Sequence, residues 1–117
     1  MVRLNRINLS KDGLNKFFSP IEAKIIKTLW SEGKMTTAEM TEKTCIPMTS
    51  VAGTLDRLVK TGYAIRQLET VNGRVRSVYE PAFSEEETAS KITDRILDGL
   101  VDAFGPLAFE KFSKYKP

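Results

Sequence analysis

Two arginines, Arg74 and Arg76, follow directly on an Asn72-Gly73 pair, and earlier in the chain Ser50, Gly53, Arg57 and Lys60 recur at intervals of three or four residues. Guanidinium and ammonium groups beside small, hydroxyl-bearing residues suit the holding of phosphates. The cations neutralise the backbone, while hydroxyls and helix-terminal amides donate to its oxygens. Thr37, Thr49, Thr54 and Arg66 belong to the same candidate set. Covalent chemistry has few parts here, because the chain has no histidine and one cysteine, Cys45. That composition excludes an internal disulfide framework, Cys/His zinc sites and His-dependent nucleophile pairs. No phosphate-cradling glycine loop is present either, so the expectation is a protein that is not an enzyme and needs no metal or cofactor. Beside Ile46 and Pro47, Cys45 reads as a small buried apolar group.

Charge is unevenly placed in the 117 residues. Residues 1–83 hold 13 Lys and Arg against 8 Asp and Glu, whereas residues 84–117 hold 5 against 7. The first part is therefore the candidate for a polyanionic partner. No run approaches the roughly 18 apolar residues of a membrane span, and the opening MVRLNRINLSKDG lacks the apolar core of a secretory signal. An intracellular, cytoplasmic protein associated with the nucleoid is expected.

The elements that must position these residues can be read from caps and periodicity. Residues 1–18 form an N-terminal arm with a turn at Asp12-Gly13 and Leu14, Phe17 and Phe18 as apolar anchors. Ser19, Pro20 and Glu22 open a first helix with a capping box, and Ile21, Ile25, Ile26, Leu29 and Trp30 give it a wide apolar band before Gly33 stops it. Thr36 and Glu39 repeat the box for a short second helix that Pro47 ends. In the third helix Val51, Leu55, Leu58 and Val59 share one side. Ser50, Gly53, Arg57 and Lys60 point the opposite way, with Thr49 and Thr54 at the flanks.

Strand-like runs at 63–69 and 74–80 flank Asn72-Gly73, the strongest short-range hairpin signal. A two-residue turn sets Glu69 opposite Arg76 and Leu68 opposite Ser77, but imperfect alternation leaves open which face is buried. Ser84 and Glu87 then cap a long helix to about Phe104. Its apolar residues Ala89, Ile92, Ile96, Leu97, Leu100, Val101 and Phe104 cover about half its circumference, more than one core requires. Gly105-Pro106 breaks it, and a short terminal helix or turn follows with Leu107, Phe109 and Phe112 to bury.

Three helices followed by a hairpin is the order of a winged helix-turn-helix, whose third helix fits a major groove about 12 Å wide. The expected fold class is thus mainly α with a small β-hairpin (α+β), a winged helix-turn-helix at 19–83 followed by C-terminal dimerisation helices at 84–117. The hairpin is the wing. Its arginines would meet phosphates or a narrow minor groove.

The stretches GLNKFFSPIEAKIIKTLW, MTTAEMTEKTCIPMTSVAGTLDRLVKTGYA and GRVRSVYEP resemble the penicillinase and methicillin-resistance repressor family, with its copper-responsive relatives. The resemblance runs over roughly residues 13–83 and continues more loosely into the last helix. It implies a homodimeric repressor of a palindromic operator in double-stranded DNA, dimerising through C-terminal helices. Ser50 matches the family's hydroxyl position at the start of the recognition helix, Arg57 its Leu-x-Arg-Leu arginine and Arg74 its wing arginine. Gly53 stands where many relatives have a second threonine, and the cysteine cluster of the copper-responsive relatives is missing.

The residues expected to dimerise are Ile92, Ile96, Leu97, Leu100, Val101, Phe104 and Leu107. The protomer's own core is the alternative home for that face. A rival reading is a winged-helix module that binds protein in a transcription or replication assembly. Such modules usually carry an apolar patch on the third helix or wing, surfaces that here read as small, polar and basic.

Overall fold

The computed structural model describes residues 16–115, and the proposed arm up to residue 15, including Leu14, lies outside them. The chain divides into two compact units, one ending at Ser84 and the other beginning at Glu85.

In the first unit, helix α1 spans Pro20–Glu32 and starts with the expected reciprocal cap. The Glu22 amide donates to Ser19 Oγ at 3.2 Å, and the Ser19 amide donates to Glu22 Oε1 at 2.9 Å. Gly33 ends the helix at φ 84°, a conformation that other residues adopt only with strain. Helix α2, Thr37–Thr44, is two turns long and carries the second capping box between Thr36 and Glu39. Helix α3 covers Met48–Lys60. Past its end, the Gly62 amide donates to the Val59 carbonyl and the Tyr63 amide to the Leu58 carbonyl, the two bonds of a Schellman motif.

Ile25, Ile26 and Leu29 of α1, Met40 of α2, and Val51, Leu55 and Leu58 of α3 are fully buried. Each such side chain contributes about 1.5–3 kcal/mol by leaving water. Ile21, expected in the α1 band, is exposed. Phe18 packs edge-on against Tyr63 with ring centroids 5.3 Å apart, whereas Phe17 is exposed. The Trp30 indole N–H donates to the Phe83 carbonyl at 3.0 Å, joining α1 to the chain beyond the wing.

The sheet has one strand more than the sequence suggested. β1 is the pair Met35–Thr36, β2 is Ala64–Val71 and β3 is Arg74–Pro81, in the antiparallel order β1-β3-β2. Thr36 therefore does two jobs, pairing with Val78 and capping α2. The hairpin register is the expected one, with Glu69 opposite Arg76 and Leu68 opposite Ser77. Asn72 at φ 51° and Gly73 at φ 76° supply the two positive φ angles of the turn.

The Glu39 carboxyl is held below its ordinary value of 4.5, first by the Thr36 amide, then by the Thr36 hydroxyl, with the Arg76 charge assisting. A lowered folded value means that the unfolded chain binds more protons in the window between the two values. The stabilisation is complete above about pH 4.5 and lost as pH falls through the lower folded value. Urea unfolding followed from pH 6 to pH 3 should show this as an acid limb that Glu39→Gln, which keeps the acceptor but not the charge, makes shallower.

In the second unit, helix α4 spans Glu85–Phe104 and helix α5 spans Pro106–Ser113, with Gly105 between them. Within α4, Thr88 and Ile92 are buried. No helix among the described residues is long and apolar enough to cross a membrane.

Candidate nucleic-acid interface

Helices α2 and α3 are joined by Cys45, Ile46 and Pro47, a turn of helix-turn-helix length. Cys45 is exposed and left-handed at φ 60°, capping α2 through its own amide. This corrects the expectation of a buried thiol: the turn needs a residue with positive φ, and its side chain leaves the core. Pro47 stands at the N-cap of α3 with no side-chain cap, so the first amides of α3 are left for an outside acceptor.

On α3 the buried residues are Val51, Thr54, Leu55 and Leu58. Thr49, Arg57 and Lys60 are exposed, while Ser50 and Gly53 are half-buried on the outer side. Thr37, the first residue of α2, is half-buried. Thr54 is the correction within the candidate set. It is 1% exposed, and its hydroxyl accepts from Arg57 Nη2 at 3.1 Å, so it is an internal partner of the arginine and no surface contact.

A Cβ on Gly53 would meet only Arg57 Nη1, at an ordinary 3.7 Å. Gly53→Ala should therefore raise stability by up to about 1 kcal/mol through helix propensity. If chemical denaturation shows that gain while duplex affinity falls, the missing side chain at 53 serves close approach to DNA.

The register answers which wing arginines share a face. Arg74 and Arg76 alternate with Val75 on β3 and lie on the face that carries Glu69 and Val71; Arg66, opposite Tyr79, lies on the other face. That other face also exposes Leu68 at 67% and Val75 at 65%, so the wing is not uniformly small, polar and basic as its sequence suggested. Three of the candidate cations already meet carboxylates. Arg57 Nε lies 3.7 Å from Glu22 Oε2, Lys60 Nζ 3.0 Å from Asp56 and Arg76 Nη2 2.8 Å from Glu69. Arg66 and Arg74 have no carboxylate within 4.0 Å among the described residues, so each face of the wing keeps one exposed arginine with its full charge.

In the second unit, Ile96, Leu100, Val101, Phe104 and Leu107 are exposed and Leu97 is half-buried. Ile92 is 8% exposed and so is not available to a partner, which removes it from the expected dimerisation set. A cleft of about 370 Å³ runs between Leu100, Phe104, Leu107, Ala108, Lys111, Phe112 and Tyr115. Its walls are almost entirely apolar. Sequence reading placed Phe109, Phe112 and Leu107 as residues to bury, yet all three are exposed. Among the described residues no group of three His, Cys, Asp or Glu could hold a metal ion.

Helix-turn-helix and wing together define a winged-helix protein with outward basic residues on its third helix and hairpin. The penicillinase repressor family profile matches residues 18–116, and the chain belongs to that family, whose members are regulators and not enzymes. No curated protein sequence matches the chain. Among solved structures it is similar to a possible transcriptional regulator from Methanosarcina mazei Go1, at 14% identity and a TM-score of 0.64 over 94% of this chain and 88% of that one. A MarR family transcriptional regulator from Silicibacter pomeroyi is 15% identical, with a TM-score of 0.54 over 86% of this chain and 68% of the other. The archaeal chromatin protein TrmBL2 is 21% identical, with a TM-score of 0.54 over 93% of this chain and 41% of its own. These likenesses support the winged-helix fold.

Proposed function

We propose that the protein is a homodimeric repressor that binds a palindromic operator in double-stranded DNA, in the cytoplasm and on the nucleoid. The observation that carries this reading is the division of α3. Its apolar side is sealed in the core, while Thr49, Ser50, Gly53, Arg57 and Lys60 are turned outward. This outer side enters the major groove. Arg74 and Arg76 hold the flanking phosphates or the minor groove, with Arg66 on the wing's opposite wall. Thr37, at the N-terminus of α2, contacts the backbone from the side.

The unit beginning at Glu85 supplies the dimer contact through Ile96, Leu97, Leu100, Val101, Phe104 and Leu107. Side chains so exposed and contiguous are ordinarily covered by a partner, and a two-fold pair of identical patches is the simplest cover. The two α3 helices then address half-sites about 34–36 Å apart, or a multiple of that.

Salt dependence tests the reading. Binding to a preferred duplex should weaken steeply between about 50 and 200 mM salt, with a log–log slope near −0.9 per phosphate neutralised. A flat salt response overturns it. The exposed Leu68 and Val75 favour a second reading, a wing that docks on protein, which predicts no duplex preference to lose.

A further inference from the structure

Arg57 is held from two sides by residues that the DNA-binding reading leaves without a task. Glu22 divides its carboxylate between two duties: Oε1 accepts from the Ser19 amide at 2.9 Å and caps α1, and Oε2 faces Arg57 Nε at 3.7 Å. Thr54 is a buried hydroxyl that accepts from Arg57 Nη2 at 3.1 Å. Nη2 carries one N–H on the Nε side, so a single edge of the guanidinium, Nε–H with that Nη2–H, can meet both partners. Nη1, at the opposite end, lies 3.7 Å from where a Cβ on residue 53 would stand, and Gly53 leaves that space empty. A guanidinium has five N–H donors in a rigid fork, and fixing one edge orients the rest.

We propose that Glu22 and Thr54 are positioning residues for Arg57, clamping its Nε/Nη2 edge to the protein and presenting its Nη1/Nη2 edge to a pair of acceptor atoms on the DNA. The proposal rests on the DNA-binding reading and adds two residues to it. Its consequence runs against simple electrostatics. A carboxylate beside a DNA-binding arginine repels phosphate, and its removal ought to tighten binding. If Glu22 orients Arg57, its removal weakens binding instead.

Glu22→Gln separates the two effects, because glutamine keeps the α1 cap while its amide cannot pair with Arg57. Measured by duplex titration with the full chain, Glu22→Gln should weaken binding to the preferred duplex by about five- to tenfold, the lower end of the discrimination that a bidentate contact supplies. Thr54→Val should act in the same direction, and its urea melt shows whether the fold is kept. In the Arg57→Ala background Glu22→Gln should have no weakening left to cause.

Unchanged or tighter binding by Glu22→Gln, or equal weakening with and without Arg57, overturns the proposal. Weakening confined to the preferred duplex places the acceptors on a base edge; equal weakening on every duplex places them on phosphate, and either supports the clamp. A wild-type chain that binds no duplex at all defeats the underlying reading, which is a different result from an intact binder indifferent to Glu22.

Discussion

Replacing Ile96 and Leu100 together by glutamate is expected to convert dimers into monomers and to lower operator affinity by about 100-fold or more, although every DNA-facing residue survives. The two side chains are 41% and 40% exposed in the protomer, so the charges enter water in the monomer and the helix is retained. In a dimer they would be forced into an apolar contact, where an unpaired charge is not tolerated. Affinity then falls because two half-sites are no longer bound as one, and linked binding contributes a factor of roughly 10² to 10⁴. Sedimentation of wild type and variant at micromolar concentration, beside duplex titrations, reads both effects. A wild-type monomer that binds DNA as tightly as the variant contradicts the expectation.

The second large effect concerns the wing. Arg74→Ala with Arg76→Ala should leave the dimer intact, weaken binding to all duplexes and reduce the magnitude of the salt slope by up to about two for each protomer. If the wing meets phosphate, Arg74 contributes more than Arg76, which already lies 2.8 Å from Glu69 and shares its charge. Both lie on the same face of β3, so a single duplex surface can meet the two together. Circular dichroism and sedimentation of the double variant show whether fold and assembly persist. Persistent assembly with unchanged duplex binding assigns the wing a different partner.

Local rules carried much of this architecture into view. Both verified capping boxes, at Ser19 and Thr36, are sequence patterns whose hydrogen bonds involve residues three apart, and Asn72-Gly73 defines the hairpin register because few other pairs accept positive φ twice. β1 was not legible, because a strand of two residues has no alternation and Thr36 already reads as a cap. Thr54 illustrates the limit of a helical wheel. At the margin of the apolar side, 100° per residue does not say whether a hydroxyl faces water or an arginine, and the Arg57 bond decides it.

Cys45 departs from the burial its residue type favours for a similar reason. Its residue type favours burial, whereas the turn geometry turns it outward. The ion pairs of Arg57 and Arg76 join elements or strands, so only the fold brings their carboxylates within reach. Charge counting alone overstated the cations free to meet DNA.

The most direct test of a dimeric, sequence-reading regulator is selection of bound duplexes from a random pool. The account predicts enrichment of a palindrome whose half-sites are centred about 10 to 10.5 base pairs apart, or a multiple of that. A pool that shows no enriched sequence, or only a single asymmetric site, contradicts it.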